Sequence, residues 1–311
     1  MKKFVNQTHI AGALYQHDLT LKVSGENSKA PGTEFISGNI EIATDDAGIN
    51  IVPVHFTYLT ATTSTGKSNN TFAVLKNIID GVYKSAMTDG MDNATLFRID
   101  SAIGLNEFYS DRSGEEELIS VKRNEGGFVH VTPSVEEDEK LRNTFDCDIV
   151  ITGVRRVEGD EEKGTTDKVI VKGAIFNFRG DLLPVEFSVV NSRAMAYFED
   201  LGASTSNPIV TRIKGSQISE SIVRRVEEES AFGEPSVREY KSTRKDFVIT
   251  WAKAEPYEWD DESSITAAEL KEAMSNREIA LAEMKKRSDD YKASRNGGAA
   301  PSAPAPGAFN F

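Results

Sequence analysis

The order of apolar and polar positions predicts β-strands along most of the first 256 residues. Residues 34–43 and 51–60 alternate with period two, and Val52, Val54, Phe56 and Tyr58 fall on one side of the second run. Such alternation is typical of half-buried strands. The same reasoning predicts further strands in the first half over residues 8–14, 19–23, 95–109 and 117–131. The last of these is interrupted at Gly126-Gly127.

Helical spacing occurs at only three places. Apolar residues at 72, 75, 78, 79 and 82 predict a helix after the strand at 51–60. A second short helix is predicted over 192–201. In residues 264–292, the capping pattern Thr266-x-x-Glu269 precedes a run without Gly or Pro. There Leu270, Met274, Leu281 and Met284 form a narrow apolar stripe, so a long helix is expected.

The second half repeats the element order of the first. Its predicted strands cover 145–157, 168–178, 182–190, 208–226 and 237–253. Gly38-Asn39-Ile40 is followed by Pro53-Val54-His55-Phe56, and Gly173-Ala174-Ile175 is followed by Pro184-Val185-Glu186-Phe187. The two intervals differ by four residues, which a hairpin can absorb. The pattern therefore indicates an internal duplication.

Five strands with a helix between the third and fourth predict a mainly β chain of two tandem OB-like five-stranded barrels. Two β-sandwich domains that share only alternation and turns are the alternative. The expected domains are a first barrel over 1–140, a second over 141–256, a helical segment over 257–292 and a disordered tail over 293–311. The tail consists largely of Ala, Pro, Gly and Ser and ends in Phe309-Asn310-Phe311.

The chain resembles single-stranded DNA-binding proteins, most closely the tandem-barrel kind of bacteriophages. The resemblance rests on residues 8–14 as an opening strand, on residues 145–154 as its second copy, and on the tail that ends in phenylalanine. It covers about residues 5–255 in pattern. The last 21 residues contain no acid, whereas bacterial relatives end in an acidic tip. The resemblance implies sequence-tolerant binding of single-stranded DNA in replication or recombination.

The charge distribution restricts where nucleic acid can bind. The net charge is −13, yet residues 141–256 carry 17 basic and 19 acidic side chains, against 12 and 20 in residues 1–140. A local basic groove can follow phosphates while the remaining surface is acidic. The second half is therefore expected to hold more phosphate contacts. The single cysteine, Cys147, cannot form an internal disulfide, so a cytoplasmic setting is expected, in a bacterial host if phage-encoded.

Binding of single strands needs aromatic rings for stacking and cations for phosphates. Both types occur beside the predicted strands, although most phenylalanines are expected in the core and the arginine pairs are equally compatible with ordinary solvated faces. The candidate DNA-binding residues are Tyr15, Lys67, Tyr109, Lys122, Arg123, Arg155, Arg156, Phe178, Arg179, Arg212, Lys214, Arg224, Arg225, Arg244 and Lys245.

Enzymatic interpretations are weaker. Residues 61–68 fit a relaxed phosphate-loop pattern, but Ala61 stands where the first glycine belongs, and the chain lacks the alternating helices of a parallel sheet. The four histidines show no ligand spacing, and the acidic runs are most simply solvated. We therefore expect a binding protein without enzymatic activity, cofactor, metal or membrane segment.

Two functional expectations remain open. The first is a protein that coats transient single strands and recruits replication or recombination proteins through Phe309 and Phe311. The second is a virion or scaffold protein of two β domains that assembles through the helix at 264–292. The sequence leaves the oligomeric state unspecified.

Overall fold

The computed structural model describes most of the chain as strands joined by short helices and turns. The described ranges are 4–26, 28–63, 65–111, 116–159, 166–228, 236–259 and 264–296. Side chains are described in these ranges except at 221–228, 236–243 and 294–296.

Within its described residues, the first half contains six strands, and two α-helices lie between the fourth and fifth of them. The elements are β1 (Asn6–His17), β2 (Thr20–Val23), β3 (Glu34–Ala43), β4 (Ile51–Thr60), α1 (Asn70–Ile79), α2 (Ala86–Asp89), β5 (Leu96–Ser110) and β6 (Glu117–Val131).

The second half contains five strands and ends in a long helix. The elements are β7 (Asn143–Val157), β8 (Lys168–Phe176), β9 (Leu182–Val189), α3 (Ser192–Asp200), β10 (Ile209–Glu228), β11 (Ser236–Ala252) and α4 (Ala267–Asn296). Asn191 begins α3 because its side-chain oxygen accepts hydrogen bonds from two backbone amides of the first turn. At α4, Thr266 and Glu269 exchange the two bonds of a capping box.

Strand pairing forms one closed circuit in each half. In the first half β1 pairs with β3, β3 with β4, β4 with β6, β6 with β5, and β5 with β1. In the second half the corresponding order is β7, β8, β9, β11, β10 and back to β7. The third strand of each circuit meets the fifth in parallel, and the other pairings are antiparallel. Within the described residues, the ten strands of the two circuits and β2, which pairs with β3, form one sheet of eleven strands.

Each circuit encloses its own apolar core. Period-two alternation directs Ile40, Val54 and Phe97 inward in the first half. In the second half Phe145, Phe187 and Phe247 pack within one core, with ring centroids 5.1–6.2 Å apart. Ile103 of β5 belongs to this second core, so the hairpin of the first half reaches into the second.

A backbone pairing and a buried polar network join the halves. Strand β1 pairs with β7 antiparallel from Asn6 to Ile10. The amides of Asn124 and Gln217 donate to each other's oxygens at 2.8 and 2.9 Å, and both side chains are buried. The side-chain amide of Asn143 also donates to the backbone carbonyl oxygen of Gln217, at 2.6 Å. Since buried amides without partners are costly, this network fixes how one half lies against the other.

The prediction of a mainly β chain with a C-terminal helix is confirmed. The helix begins and ends a few residues later than predicted, at Ala267 and Asn296. Residues 293–296 belong to the predicted disordered tail, but the structure places them in the last turn of α4. The rest of that tail, residues 297–311 with Phe309 and Phe311, lies outside the described residues. None of the helices within the described ranges is both long and apolar enough to cross a bilayer.

Candidate nucleic-acid interface

A groove of about 680 Å³ crosses the junction between the two halves. We call it the junction groove. Gln7 and His9 of β1 lie along it, between residues of β5 and β6 on one side and residues of β7 on the other. Because β1 pairs with both β5 and β7, the groove spans both circuits on a continuous sheet.

Two exposed phenylalanines stand in the lining of this groove. Phe128 is 68% exposed, and Phe178 is 92% exposed. An exposed aromatic ring gains nothing from water, so two of them in one groove indicate a binding surface rather than a core.

Local backbone geometry holds both rings outward. Phe128 follows Gly126-Gly127, which both have positive φ, and a β-carbon at Gly127 would collide with the carbonyl oxygen of Asp100. Phe178 lies in a tight turn, where the Asn177 side-chain oxygen accepts hydrogen bonds from the amides of Arg179 and Asp181, both at 2.9 Å. The Arg179 guanidinium lies 5.2 Å from the Phe178 ring centroid.

Among the described residues no lysine or arginine lines the groove, but cations beside it pair with its carboxylates, and Asp146 binds two of them. Asp146 accepts two hydrogen bonds from Arg212, at 2.7 and 2.9 Å, and pairs with Lys214 at 3.3 Å. Partial burial opposes ionisation of Asp146, but the bonds from these cations hold its pKa below the ordinary value. The Lys214 ammonium also lies 5.4 Å from the Trp251 ring centroid, so the cationic edge continues onto β11.

On the opposite wall of the groove, arginines also pair with carboxylates, each with one partner. Arg123 pairs with Glu125, and Arg98 pairs with Asp100, both at 3.0 Å. His9 bridges Asp100 and Glu136 at 3.2 and 3.0 Å. The carboxylates hold the cations in place, and an incoming phosphate would have to compete with them.

The groove continues onto the outward face of β3 and β4, which we call the open face. Thr57 of β4 donates to Glu125 of the groove at 3.3 Å. Farther along, Phe35 and Tyr58 pack with centroids 4.4 Å apart, and Tyr58 is 50% exposed. Lys22 of β2 lies opposite Phe35 in the register of the sheet.

The outward face of β8 and β9 is covered. Phe176 and Leu182 are buried there in a third apolar cluster with Ile265. The rings of Phe4 and Phe176 stack with their centroids 4.5 Å apart, and Leu270 of α4 packs against the same cluster. We call this surface the covered face.

Five residues predicted from the sequence meet at or beside the junction groove: Arg123, Phe178, Arg179, Arg212 and Lys214. Tyr109 is half-buried with Lys285 of α4 5.4 Å from its ring centroid, and Lys122 is half-buried in a different groove. Arg156 pairs with Glu199 and Asp167. The other predicted residues with described side chains do not line the junction groove; they are the half-buried Tyr15 and the exposed Lys67, Arg155, Arg244 and Lys245. The side chains of Arg224 and Arg225, like Phe309 and Phe311, lie outside the described part.

Sequence reasoning did not select Phe128, Arg98, Tyr58 or Trp251. The break at Gly126-Gly127 was visible, and an aromatic residue directly after paired glycines was a usable signal for Phe128. Arg98 and Tyr58 gave no signal, because their exposure depends on which strands become neighbours in the circuit.

The described residues contain no group of three or more His, Cys, Asp or Glu that could hold a metal ion. Cys147 is buried, and burial raises the pKa of its thiol. A buried thiol of raised pKa is a poor nucleophile.

The fold and groove define a mainly β protein whose two joined strand circuits present aromatic rings and cations on a shared surface. The chain belongs to the YorF family, whose family model matches residues 5–287. No curated protein matches the chain.

Two solved structures give weak likenesses. One is a deletion variant of the single-stranded DNA-binding protein from Thermus aquaticus, with 10% identity and a TM-score of 0.45, covering 83% of this chain and 99% of that one. The other is a replication protein A heterotrimer bound to single-stranded DNA, with 9% identity and a TM-score of 0.21, covering 91% of this chain and 69% of that one. At TM-scores below 0.5, neither likeness carries an argument about this chain.

Proposed function

We propose that this protein binds single-stranded DNA without a strict sequence requirement and uses the junction groove as its principal site. The observation that carries the proposal is the pair of exposed rings, Phe128 and Phe178, in a groove whose carboxylates are paired with cations beside it. Unpaired bases present their faces for stacking, whereas the bases of a duplex are already stacked with each other. The proposed role is to protect transient single strands in DNA replication or recombination, in a phage or its host cytoplasm, without enzymatic activity.

The two strand circuits support a proposal for the fold. Each circuit has five strands, and a helix lies between its third and fourth strands. Its strands pair antiparallel, except that the third and fifth pair in parallel and close the circuit. This arrangement fits an OB barrel in each half. We propose that residues 1–140 and 141–256 are two such domains, followed by a helical segment that ends with α4 at Asn296 and by a tail over 297–311.

The energetics favour stacking as the main source of affinity. Each base stacked on an aromatic side chain contributes about 1–3 kcal/mol. The cations beside the groove are largely paired with Asp100, Glu125 and Asp146, so their net attraction for phosphate is moderate. We therefore expect a salt dependence that reflects only a few phosphate contacts.

An equilibrium titration with oligo-dT tests the function. Trp251 lies beside Lys214, so its fluorescence should report binding at that edge of the groove. We expect tighter binding of oligo-dT than of a duplex of equal length. Replacing Phe128 and Phe178 together by Ala should weaken binding by at least tenfold, at about 1 kcal/mol or more for each ring. The matched control is Phe108→Ala, because Phe108 is 45% exposed but does not line the groove. Equal affinity for duplex, or an unchanged affinity in the double variant, contradicts the proposal.

A change of one carboxylate tests the role of the paired cations. Asp146→Asn removes the charge that occupies Arg212 and Lys214, so oligo-dT affinity at low salt should rise severalfold. Asp290→Asn, on the exposed side of α4, makes the same change in net charge away from the groove. If both variants behave alike, the effect belongs to net charge, and the two cations do not contact DNA.

We also propose that residues 300–311 recruit replication or recombination proteins through Phe309 and Phe311. Two phenylalanines after a segment rich in Ala and Pro suit an apolar pocket on a partner. Deleting residues 300–311 should leave oligo-dT affinity nearly unchanged and abolish capture of the host polymerase, helicase or recombinase. Loss of DNA affinity without loss of a partner would assign the tail to the DNA site instead.

A further inference from the structure

A second groove, of about 720 Å³, lies where the β5–β6 hairpin of the first half meets β8, β9 and β11 of the second. We call it the hairpin groove. Leu105 and Leu118 of the hairpin line one wall, Lys172 and Phe187 line the opposite wall, and Arg277 of α4 closes one side. It shares no lining residue with the junction groove.

The charges in this groove are unbalanced. Five cations against three carboxylates leave a formal excess of two positive charges; the cations are Lys122, Lys168, Lys172, Lys245 and Arg277, and the carboxylates are Glu107, Glu186 and Asp246.

Three of the cations already have carboxylate partners. Arg277 binds Glu107 at 2.6 Å, Lys172 binds Glu186 at 2.9 Å, and Lys168 lies 3.4 Å from Asp246. Among the described residues, Lys122 and Lys245 form no ion pair, so they carry the excess charge.

Lys122 lies at the bottom of the groove. Its ammonium is 4.9 Å from the Phe187 ring centroid and 4.8 Å from that of Phe247, and it donates to the backbone carbonyl of Glu186. Burial lowers the pKa of Lys122 to about 8; Asp246, Glu186 and Cys147 oppose this shift, and Lys168 adds to it. A desolvated ammonium bound only by a carbonyl and two rings gains strongly from an anionic oxygen.

We propose that the hairpin groove is a phosphate-binding site anchored by Lys122 and Lys245, with room for one phosphate monoester dianion or two adjacent phosphodiesters. The excess of two charges matches either ligand, and the volume falls within the range of small-ligand sites. Two sources share this chemistry: the phosphorylated end of a DNA strand and its internal backbone. Since the hairpin and β9 form opposite walls, a bound phosphate would also hold the two halves together.

Calorimetry with inorganic phosphate at pH 8 tests the site directly. We expect saturable binding with proton uptake, because a bound anion raises the proton affinity of Lys122; titrations in two buffers of different ionisation enthalpy measure this uptake. Lys122→Met should weaken binding at least tenfold and abolish the uptake. Lys245→Ala, at an exposed position that folding does not need, should also weaken it. Lys76→Ala on α1 is the control for loss of a lysine.

Oligo-dT with a 5′-phosphate and with a 5′-hydroxyl then separates the two sources. If the parent protein binds the phosphorylated strand more tightly and Lys245→Ala loses this preference, the site binds strand ends. Equal affinities, both reduced in Lys245→Ala, assign it to the backbone. No heat with inorganic phosphate, or the same affinity in Lys245→Ala as in Lys76→Ala, overturns the site. That failure is separate from the proposed function, which depends on Phe128 and Phe178.

Discussion

The open face and the covered face occupy equivalent places in the two strand circuits, yet they differ in exposure. On the open face the Phe35–Tyr58 pair is partly in solvent, and Tyr58 is 50% exposed. On the covered face Phe176 is 3% exposed beneath Phe4. A repeated topology therefore does not imply a repeated binding surface, because later parts of the chain decide which face meets solvent.

Two elements account for the difference. Helix α4 packs Leu270 onto the covered face, and Arg277 of the same helix binds Glu107 of the β5–β6 hairpin. The hairpin itself inserts Ile103 into the second core. As a result, the junction groove and the open face remain accessible, and both carry exposed aromatic rings.

The largest expected effect is on stability. Phe176→Ala should lower the free energy of unfolding by about 3–5 kcal/mol, because it leaves a cavity between Phe4 and α4. Tyr58→Ala on the open face should cost less than about 1 kcal/mol, since half of that ring is already in water. Urea unfolding of both variants measures the contrast, and equal losses would show that the two faces are covered alike.

The ion pair that fastens α4 should have the next largest effect. Arg277→Met leaves the Glu107 carboxylate buried without its partner and should cost about 3 kcal/mol. Lys76→Met breaks a solvent-exposed pair with Asp80 and should cost less than about 1 kcal/mol. A loss from Arg277→Met no greater than that from its control would mean that this pair does not hold the helix.

The pH dependence of the free energy of unfolding should show that Lys122 loses contact with water where the β5–β6 hairpin packs against the second half. Burial lowers the pKa of Lys122 from 10.5 to about 8, so the unfolded chain binds more protons than the folded one between these values. The free energy of unfolding should therefore gain from Lys122 as pH rises from 8 to 10.5, by up to about 1.4 kcal/mol per pH unit. In Lys122→Met this contribution should vanish. The same slope in both proteins would place Lys122 in solvent.

The smallest effect concerns the open face as an extension of the DNA path. Tyr58→Ala should weaken binding of a long oligo-dT about fivefold, which corresponds to about 1 kcal/mol. A short oligo-dT that occupies only the junction groove should bind the variant as well as the parent protein. An equal loss for both lengths would remove the open face from the path.

The order of strands and helices was predictable because period-two alternation is a local signal. The exposure of each face was not, since Arg277 and Glu107 lie 170 residues apart in the chain. The repeat motif also misaligns by a few residues. Phe56 lies opposite Gly38, whereas Phe187 lies opposite Val171 rather than Gly173. Bulges shift register without changing element order, so matched glycines in sequence need not be matched in space.

The candidate site was partly predictable for the same reason. The neighbouring Phe178 and Arg179 form a local signal, and the structure places them in one turn. Lys122 and Arg123 are also neighbours, but alternation directs them to opposite sides of the strand. Arg123 pairs with Glu125 of the junction groove, while Lys122 is half-buried near Phe187. Adjacent cations on a strand therefore do not indicate one shared surface.

Ultraviolet cross-linking of the oligo-dT complex, followed by mass spectrometry of the linked peptides, tests the central claim most directly. If bases stack in the junction groove, thymines should cross-link to Phe128 and Phe178. Phe108, which is exposed outside the groove, should remain unlinked. Efficient cross-linking confined to Phe108 or to other residues outside the junction groove and the open face would contradict the account.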